Sequence, residues 1–154
     1  STLMRSTAAA ALLSTVGLCA PLSRDSKIRR FDNLFVRGAS ADVPTENKSA
    51  FGAEMQDIAA LLRSCGEKSL VFVDELGRGT SPRDGTSIAA AVLERMALSG
   101  MRGIFATHLH DILELKLMGR ERIRNVRMAT DCEDSDGQYT WTYLLEDGVC
   151  MDSL

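Results

Sequence analysis

SLVFVDELGRGTS, residues 69–81, is the stretch that decides the fold of this 154-residue chain. It opens with an unbroken apolar run, Leu70 to Val73, which predicts a strand buried on both faces of a parallel sheet. The run ends at two adjacent carboxylates, Asp74 and Glu75, and a loop of small residues with one cation follows. Because open α/β sheets bind ligands beyond the carboxyl ends of their strands, we expect the two acids to lie at a binding site.

Four apolar residues followed by an aspartate and a glutamate form the Walker B pattern of ATPases. In such a site the first acid, here Asp74, holds Mg²⁺, usually through water, and the second, Glu75, takes a proton from the attacking water. The other interpretation is a buried strand that ends in a solvated acidic turn. The pattern alone leaves both interpretations open.

The overall composition indicates one soluble globular domain, with 45% hydrophobic residues, 25% charged residues and a net charge of −3. The negative net charge argues against a domain that provides the main binding surface for nucleic acid. The four cysteines are widely spaced and form no C-x-x-C pair, which indicates reduced thiols in a cytosol-like compartment. No apolar run reaches the ~18 residues that a membrane-spanning helix needs.

Hydrophobic periodicity predicts helices that alternate with short strands, and this order indicates an α/β fold with a largely parallel sheet and a late β-hairpin. The helix at 49–65 is the most clearly amphipathic, and Glu54 is assigned to its polar face. The predicted elements are helix 2–17, strand 33–37, helix 49–65, strand 69–74, helix 82–99, strand 102–107, helix 112–117 and a hairpin of 122–128 with 138–145 around the acidic turn DCEDSDG.

Residues 1–23 allow two interpretations on their own. A basic residue, an Ala/Leu run and scattered serines imitate a targeting peptide. Strong helix formers from Ala8 to Ala11, with Gly17 as a stop, predict a helix instead. The face of this helix that is expected to pack on a sheet consists of Leu3, Thr7, Ala10 and Ser14.

Three blocks, SAFGAEM at 49–55, LVFVDELGRGTS at 70–81 and FATHLHDI at 105–112, together resemble the ATPase domain of the MutS family of mismatch-recognition proteins. The D-E-x-G-R-G-T-S motif is far more specific than a generic Walker B pattern. The matched blocks span residues 1 to about 110, and a looser match continues to Leu154. The resemblance implies a P-loop NTPase of ABC-type ATPase architecture, in which helices flank a largely parallel sheet.

The resemblance also implies that residues 1–154 are a partial MutS-type ATPase domain. In the family the phosphate loop reads G-P-N-x-G-G-K-S-T and opens a helix. Ser1 and Thr2 would therefore follow the Walker A lysine, and residues 2–17 would form the P-loop helix, which decides against the targeting peptide. We expect the glycines and lysine that hold the phosphates to precede Ser1, a helix-turn-helix to follow Leu154, and these 154 residues alone to be inactive.

Roles in an ATP site follow by matching residues to the motifs of the family. Ser1 corresponds to the hydroxyl that binds Mg²⁺ together with Asp74, and Thr2 to its neighbour near the phosphates. Glu75 corresponds to the base that activates water. His108 corresponds to the switch-loop histidine that senses the γ-phosphate, and its alternative role is a packed histidine at a strand end.

Further matches imply a dimer. Ser49 corresponds to the signature serine that reaches the γ-phosphate bound by the other subunit, and its alternative role is an ordinary helix N-cap. The loop that crosses the dimer interface would consist of Gly77, Gly79 and Thr80.

The resemblance therefore implies a Mg²⁺-dependent ATPase that forms a homo- or heterodimer and couples ATP turnover to switching of a DNA clamp. Mismatched double-stranded DNA would be bound by domains outside this chain, and no membrane is involved. Two alternatives stay open, namely a MutS-like protein that acts on recombination intermediates or collided ribosomes, and a catalytically incomplete dimerisation fragment. ATPases of the transporter type are disfavoured because their LSGG signature is absent.

The tail of the chain bears on the branch of the family. Many members have G-x-x-x-x-S followed by an aromatic residue and a glycine, whereas here Leu154 follows Gly148 to Ser153. This departure, with THLH at 107–110, looks most like the organellar branch known from plants. An intracellular location in a mitochondrion or plastid is therefore expected, with the nucleus or a bacterial cytoplasm as the alternative.

Overall fold

The computed structural model describes residues 1–38, 50–133 and 138–150, which form two compact units that divide after Gly119. The first unit contains the helices and the parallel strands. Its elements are α1 (Thr2–Thr15), β1 (Asn33–Arg37), α2 (Ala50–Ser64), β2 (Ser69–Asp74), α3 (Pro82–Leu98), β3 (Arg102–Ala106) and a 3₁₀ helix at His110–Glu114.

The three strands of this unit form a parallel sheet in the order β1-β2-β3. The central strand β2 aligns Val71 with Phe35 on one side and with Gly103 on the other. Val71, Phe72 and Val73 are 0% exposed. The predicted parallel strand buried on both faces is therefore confirmed.

Helices cover both faces of the sheet, because successive side chains of a strand point to opposite sides. Phe72 packs with Met4 and Ala8 of α1 on one face. Val71 and Val73 belong to a larger cluster on the other face, which α2 and α3 complete. The buried members of that cluster are Ile58, Leu61, Val71, Val73, Leu76, Ala89, Val92, Met96 and Ile112.

The first helix forms where it was predicted, but it buries a different face. Met4 and Ala8 are buried, whereas Leu3 is 37% exposed. The Thr7 hydroxyl donates to the Leu3 carbonyl at 2.7 Å, which satisfies the hydroxyl on the surface of the helix. The predicted face of Leu3, Thr7, Ala10 and Ser14 is wrong, apart from Ala10, which is buried. The face that carries Met4 and Ala8 packs on Phe72 instead, because it offers more apolar area.

The third helix begins and ends as its sequence predicts. Ser81 is the N-cap, and its side chain accepts a hydrogen bond from the Asp84 amide at 3.2 Å. Pro82 occupies the first turn, where no amide donor is needed. Gly100, with a φ of +69°, lets the chain turn after Leu98 towards β3.

The predicted helix at 112–117 is wrong. A 3₁₀ helix spans His110–Glu114, and Leu115 after it is extended. Ile112 is buried, but Leu113 and Leu115 are 43% and 44% exposed. Because only Ile112 of these three finds core to bury, the segment lacks the packed apolar stripe that stabilises a regular helix.

The second unit contains the predicted hairpin. Strands β4 (Val126–Glu133) and β5 (Gln138–Asp147) pair antiparallel. A 3₁₀ helix at Arg120–Arg122 precedes them, so the first strand begins later than the predicted residue 122 and extends through residues that were assigned to the turn. Residues 134–137 lie outside the described part of the chain.

At the open end of this hairpin, the Arg124 guanidinium donates to the Asp147 carboxylate. This hydrogen bond is the main reason why the pKa of Asp147 lies below, and that of Arg124 above, its ordinary value. Among residues 1–38, 50–133 and 138–150, no helix has the length and apolar character needed to cross a membrane.

Candidate active site

The carboxyl ends of the parallel strands meet at one edge of the sheet, and α1 begins at the same edge. Asp74 is the last residue of β2 and is 5% exposed. The Ser1 hydroxyl, at the N-cap of α1, donates to Oδ2 of Asp74 at 2.7 Å. The structure thus brings together two residues that are 73 positions apart in the chain.

This pair offers hydroxyl and carboxylate oxygens, the ligand type that Mg²⁺ prefers. Mg²⁺ sites in phosphate-binding proteins use one or two carboxylates, and water and phosphate oxygens complete the octahedron. The donor set of Ser1 and Asp74 therefore fits the ion. Among the described residues, no group of three or more His, Cys, Asp or Glu side chains forms an additional metal cluster.

Glu75 leaves the strand direction immediately after Asp74. Its φ of +52° lies in the left-handed region, and its amide donates to the Ala106 carbonyl at 2.9 Å. One carboxylate oxygen of Glu75 lies 2.6 Å from Nε2 of His108, and the other accepts from Nη1 of Arg78. The structure therefore brings Glu75 and His108 together.

The two neighbouring acids consequently have different surroundings. Asp74 is buried against a hydroxyl, whereas the side chain of Glu75 is 17% exposed and lies between an imidazole and a guanidinium. The side chains of Arg78 and His108 are 71% and 75% exposed, so both can move without disturbing the core. The arrangement therefore combines a buried carboxylate, that of Asp74, with a second carboxylate whose contacts lie on exposed side chains.

The loop after Glu75 lies against both α2 and α3. The Gly77 amide donates to Oε1 of Glu54 at 3.2 Å. Gly77 has a φ of +92°, and a Cβ built on it would lie 2.8 Å from the Cα of Gly85 in α3. A Cβ on Gly79 would lie 3.2 Å from the Cβ of Phe51. Both glycines therefore permit close approach of neighbouring elements.

The remaining predicted site residues are less constrained. Thr80 is partly buried in the same loop, and Thr2 is exposed at the start of α1. The predicted signature residue, Ser49, lies outside the described residues.

The sequence reasoning missed two residues and placed a third on the wrong side of α2. Arg78 was noticed only as a loop cation, and Arg37 only as a strand end. Glu54 was assigned to a polar face, but it is 4% exposed and lies 3.1 Å from Arg37, which is itself 6% exposed. The sequence spacing does indicate that Glu54 is buried. It lies three residues after Phe51 and four before Ile58, and therefore on the apolar face of the helix.

Comparison with known proteins confirms the resemblance that the motifs indicated. The family described as MutS domain V matches residues 1–154. The DNA mismatch repair protein MSH1, mitochondrial, of Arabidopsis thaliana is 40% identical over 154 residues, which cover 100% of this chain and 13% of that protein.

Bacterial relatives have similar sequence identity to this chain. DNA mismatch repair protein MutS of Anaeromyxobacter sp. (strain K) is 41% identical over 132 residues, which are 84% of this chain and 14% of the relative. MutS of Thermus aquaticus is 39% identical over 129 residues, which are 84% of this chain and 15% of the relative. The chain thus spans between 13% and 15% of the length of these three relatives. It belongs to the MutS family, whose domain V it matches from residue 1 to residue 154.

Proposed function

We propose that this chain is the ATP-binding and ATP-hydrolysing part of a MutS-like mismatch repair protein, in which ATP turnover switches a dimer and its DNA clamp. The observation that carries the proposal is the pairing of Ser1 with Asp74 and of Glu75 with His108 beside the end of the central strand. The names of the relatives support mismatch repair over action on recombination intermediates or ribosomes.

Mg²⁺ would be held by the Ser1 hydroxyl and the Asp74 carboxylate, directly or through water. When bound, it neutralises charge that develops on the transferred phosphoryl group. The phosphates of ATP would lie near Thr2, because the first amides of a helix lack partners within the helix and attract anions. Burial fixes Asp74 in place, which suits a ligand that must keep its position.

Glu75 acts as the base that removes a proton from the attacking water. In the present geometry both of its oxygens are engaged, one by His108 and one by Arg78. Hydrogen bonds that a carboxylate accepts favour its charged form, so Glu75 accepts a proton more readily once one contact gives way. We assign this movement to His108, because a histidine that also contacts the γ-phosphate can leave Glu75 when ATP is bound.

Dimerisation would complete the site. Ser49 would donate to the γ-phosphate held by the other subunit, and Gly77, Gly79 and Thr80 would lie in the loop at the interface. Mismatched DNA would be bound by parts of the full-length protein outside these residues. The relative that is named as mitochondrial supports a location in an organelle.

Substitution of Glu75 by glutamine in the full-length protein, meaning the entire product of the gene that encodes this chain, tests the proposal. Glu75→Gln keeps the shape of the side chain but removes the base. Mg²⁺-dependent ATP binding should stay within about twofold, whereas single-turnover hydrolysis should fall ~10²-fold or more. Asp74→Asn should instead weaken the dependence of ATP binding on Mg²⁺.

The matched control is Glu67→Gln, which changes an exposed carboxylate before the opposite end of β2 and should leave hydrolysis unchanged. Hydrolysis by Glu75→Gln at the unaltered rate would show that Glu75 is not the base.

A further inference from the structure

A buried carboxylate, that of Glu54, plays no part in the chemistry proposed above. It projects from α2, its side chain is 5% exposed, and its Oε1 receives two donors. One donor is Nη2 of Arg37 at 3.1 Å, and the other is the amide of Gly77 at 3.2 Å. A single oxygen of Glu54 therefore links α2 to the end of β1 and to the loop that follows Glu75.

A second contact between α2 and this loop lies one turn away. Phe51 precedes Glu54 by three residues, so both lie on one face of α2. In the loop, Gly79 packs against Phe51 and Gly77 hydrogen-bonds to Glu54. The helix therefore runs along the loop and holds it at two points.

The contact at Gly77 bears on the orientation of Glu75. The Glu75 amide is fixed to the Ala106 carbonyl, and Leu76 is 1% exposed in the core. The peptide between Leu76 and Gly77 is fixed by the bond from its N–H to Glu54. Rotation of that peptide changes ψ of Leu76 and φ of Gly77, and so shifts the loop that leaves the left-handed backbone of Glu75.

We propose that Glu54 is a positioning residue that fixes the loop carrying Glu75 to α2, so that a displacement of α2 reorients Glu75. This inference rests on the proposed role of Glu75. Arg37 contacts the same oxygen of Glu54 that accepts from the Gly77 amide, and so holds the carboxylate at the loop. In this proposal the buried pair serves to define the geometry of the loop rather than to add net stability.

Two conservative variants of the full-length protein separate the hydrogen bond from the charge. Glu54→Gln keeps the length of the side chain and an oxygen for the Gly77 amide, but it loses the charge. Glu54→Asp keeps the charge, but withdraws the oxygen by one C–C bond, roughly 1.5 Å. The long Arg37 side chain can follow a withdrawn carboxylate, whereas the backbone of Gly77 cannot.

We expect Glu54→Asp to speed hydrogen exchange at the Gly77 amide roughly tenfold. Its ATP turnover should fall by a similar factor, while ATP binding stays within about twofold. Glu54→Gln leaves Arg37 without its buried carboxylate and should lower the stability of the protein. While the protein is folded, however, this variant should keep both the Gly77 exchange rate and ATP turnover within about threefold of the unaltered protein. In the Glu75→Gln background, Glu54→Asp should cause no further loss of turnover, because it acts through Glu75.

The control is Asp57→Asn, because Asp57 lies 3.7 Å from the same guanidinium but its side chain is 59% exposed. Asp57→Asn should change neither hydrogen exchange at the Gly77 amide nor ATP turnover. If Glu54→Gln does not fold, Arg37→Met with Glu54→Gln takes its place, because that pair removes both charges and keeps the oxygen.

The proposal would be overturned if Glu54→Asp had normal exchange at the Gly77 amide and normal ATP turnover while Glu54→Gln had altered values of both. Normal ATP turnover in both variants would also overturn it. If the unaltered full-length protein hydrolyses no ATP, the proposed function fails. Exchange at the Gly77 amide in the two variants then still decides whether Glu54 holds the loop.

Discussion

Removal of the cation from the buried pair of Arg37 and Glu54 should destabilise the unit that carries the candidate site. The two side chains are each 5% exposed. Arg37→Met keeps most of the volume but removes the cation, while the Gly77 amide still donates to the carboxylate at 3.2 Å. Breaking a buried pair by removal of one partner costs about 3–5 kcal/mol, against the 5–15 kcal/mol typical of a domain. We therefore expect Arg37→Met to cost about 3–5 kcal/mol.

Adding Glu54→Gln to Arg37→Met should restore most of this loss. Replacement of both members of a buried ion pair by neutral groups of similar volume is often close to neutral in stability. The glutamine oxygen still accepts from the Gly77 amide, so no buried donor is left without a partner. The double variant is therefore expected to be more stable than the single variant.

The assay is urea denaturation of the full-length protein, with pulsed hydrogen exchange at peptides from β2 as the signal for this unit. Slopes of about 1–3 kcal/mol per molar urea convert the expected loss into a midpoint that falls by roughly 1–5 M. The control Asp57→Asn removes a more exposed partner of Arg37 and should shift the midpoint by less than about 0.5 M. A midpoint unchanged by Arg37→Met, or not raised again by Glu54→Gln, would refute this reasoning.

Two other predictions concern the loop and the dimer. Gly77→Ala should lower the free energy of unfolding by about 1–3 kcal/mol or more in the same assay, because a Cβ would lie 2.8 Å from Gly85 at a φ of +92°. Gly79→Ala should cost less, because its Cβ would lie 3.2 Å from a side-chain carbon. A mixed dimer of Ser49→Ala and Glu75→Gln subunits should recover hydrolysis at one site if Ser49 acts across the interface. If the mixed dimer hydrolyses ATP no faster than the dimer of either variant alone, Ser49 acts within its own subunit.

The sheet and its helices could be predicted from the sequence because one strong signal governs them. The apolar run from Leu70 to Val73, rich in β-branched and aromatic residues, predicts a strand that is covered on both faces. Two further short strands and the helices between them then fix a parallel arrangement. The structure confirms this arrangement, and with it the meeting of Ser1, Asp74, Glu75 and His108 at one edge.

The contacts that orient the site could not be predicted in the same way. Glu54 was assigned to solvent because a carboxylate is almost never fully buried unless it is paired. Its partner, Arg37, lies 17 positions earlier in the chain, and the packing of α2 against β1 brings the two together. The helix predicted at 112–117 failed for a related reason, because Leu113 and Leu115 stay exposed and only Ile112 and Leu117 contact the core.

The loop geometry also accounts for the order of residues after the central strand. In a regular strand, Asp74 and Glu75 would point to opposite faces of the sheet. The left-handed backbone of Glu75 ends the strand, so that Asp74 keeps its contact with Ser1 while Glu75 reaches His108 and Arg78. Gly77 must then pass over α3 at a distance that leaves no room for a Cβ. Gly77, two residues beyond Glu75, is therefore needed so that Asp74 can stay against Ser1 while Glu75 turns towards His108 and Arg78.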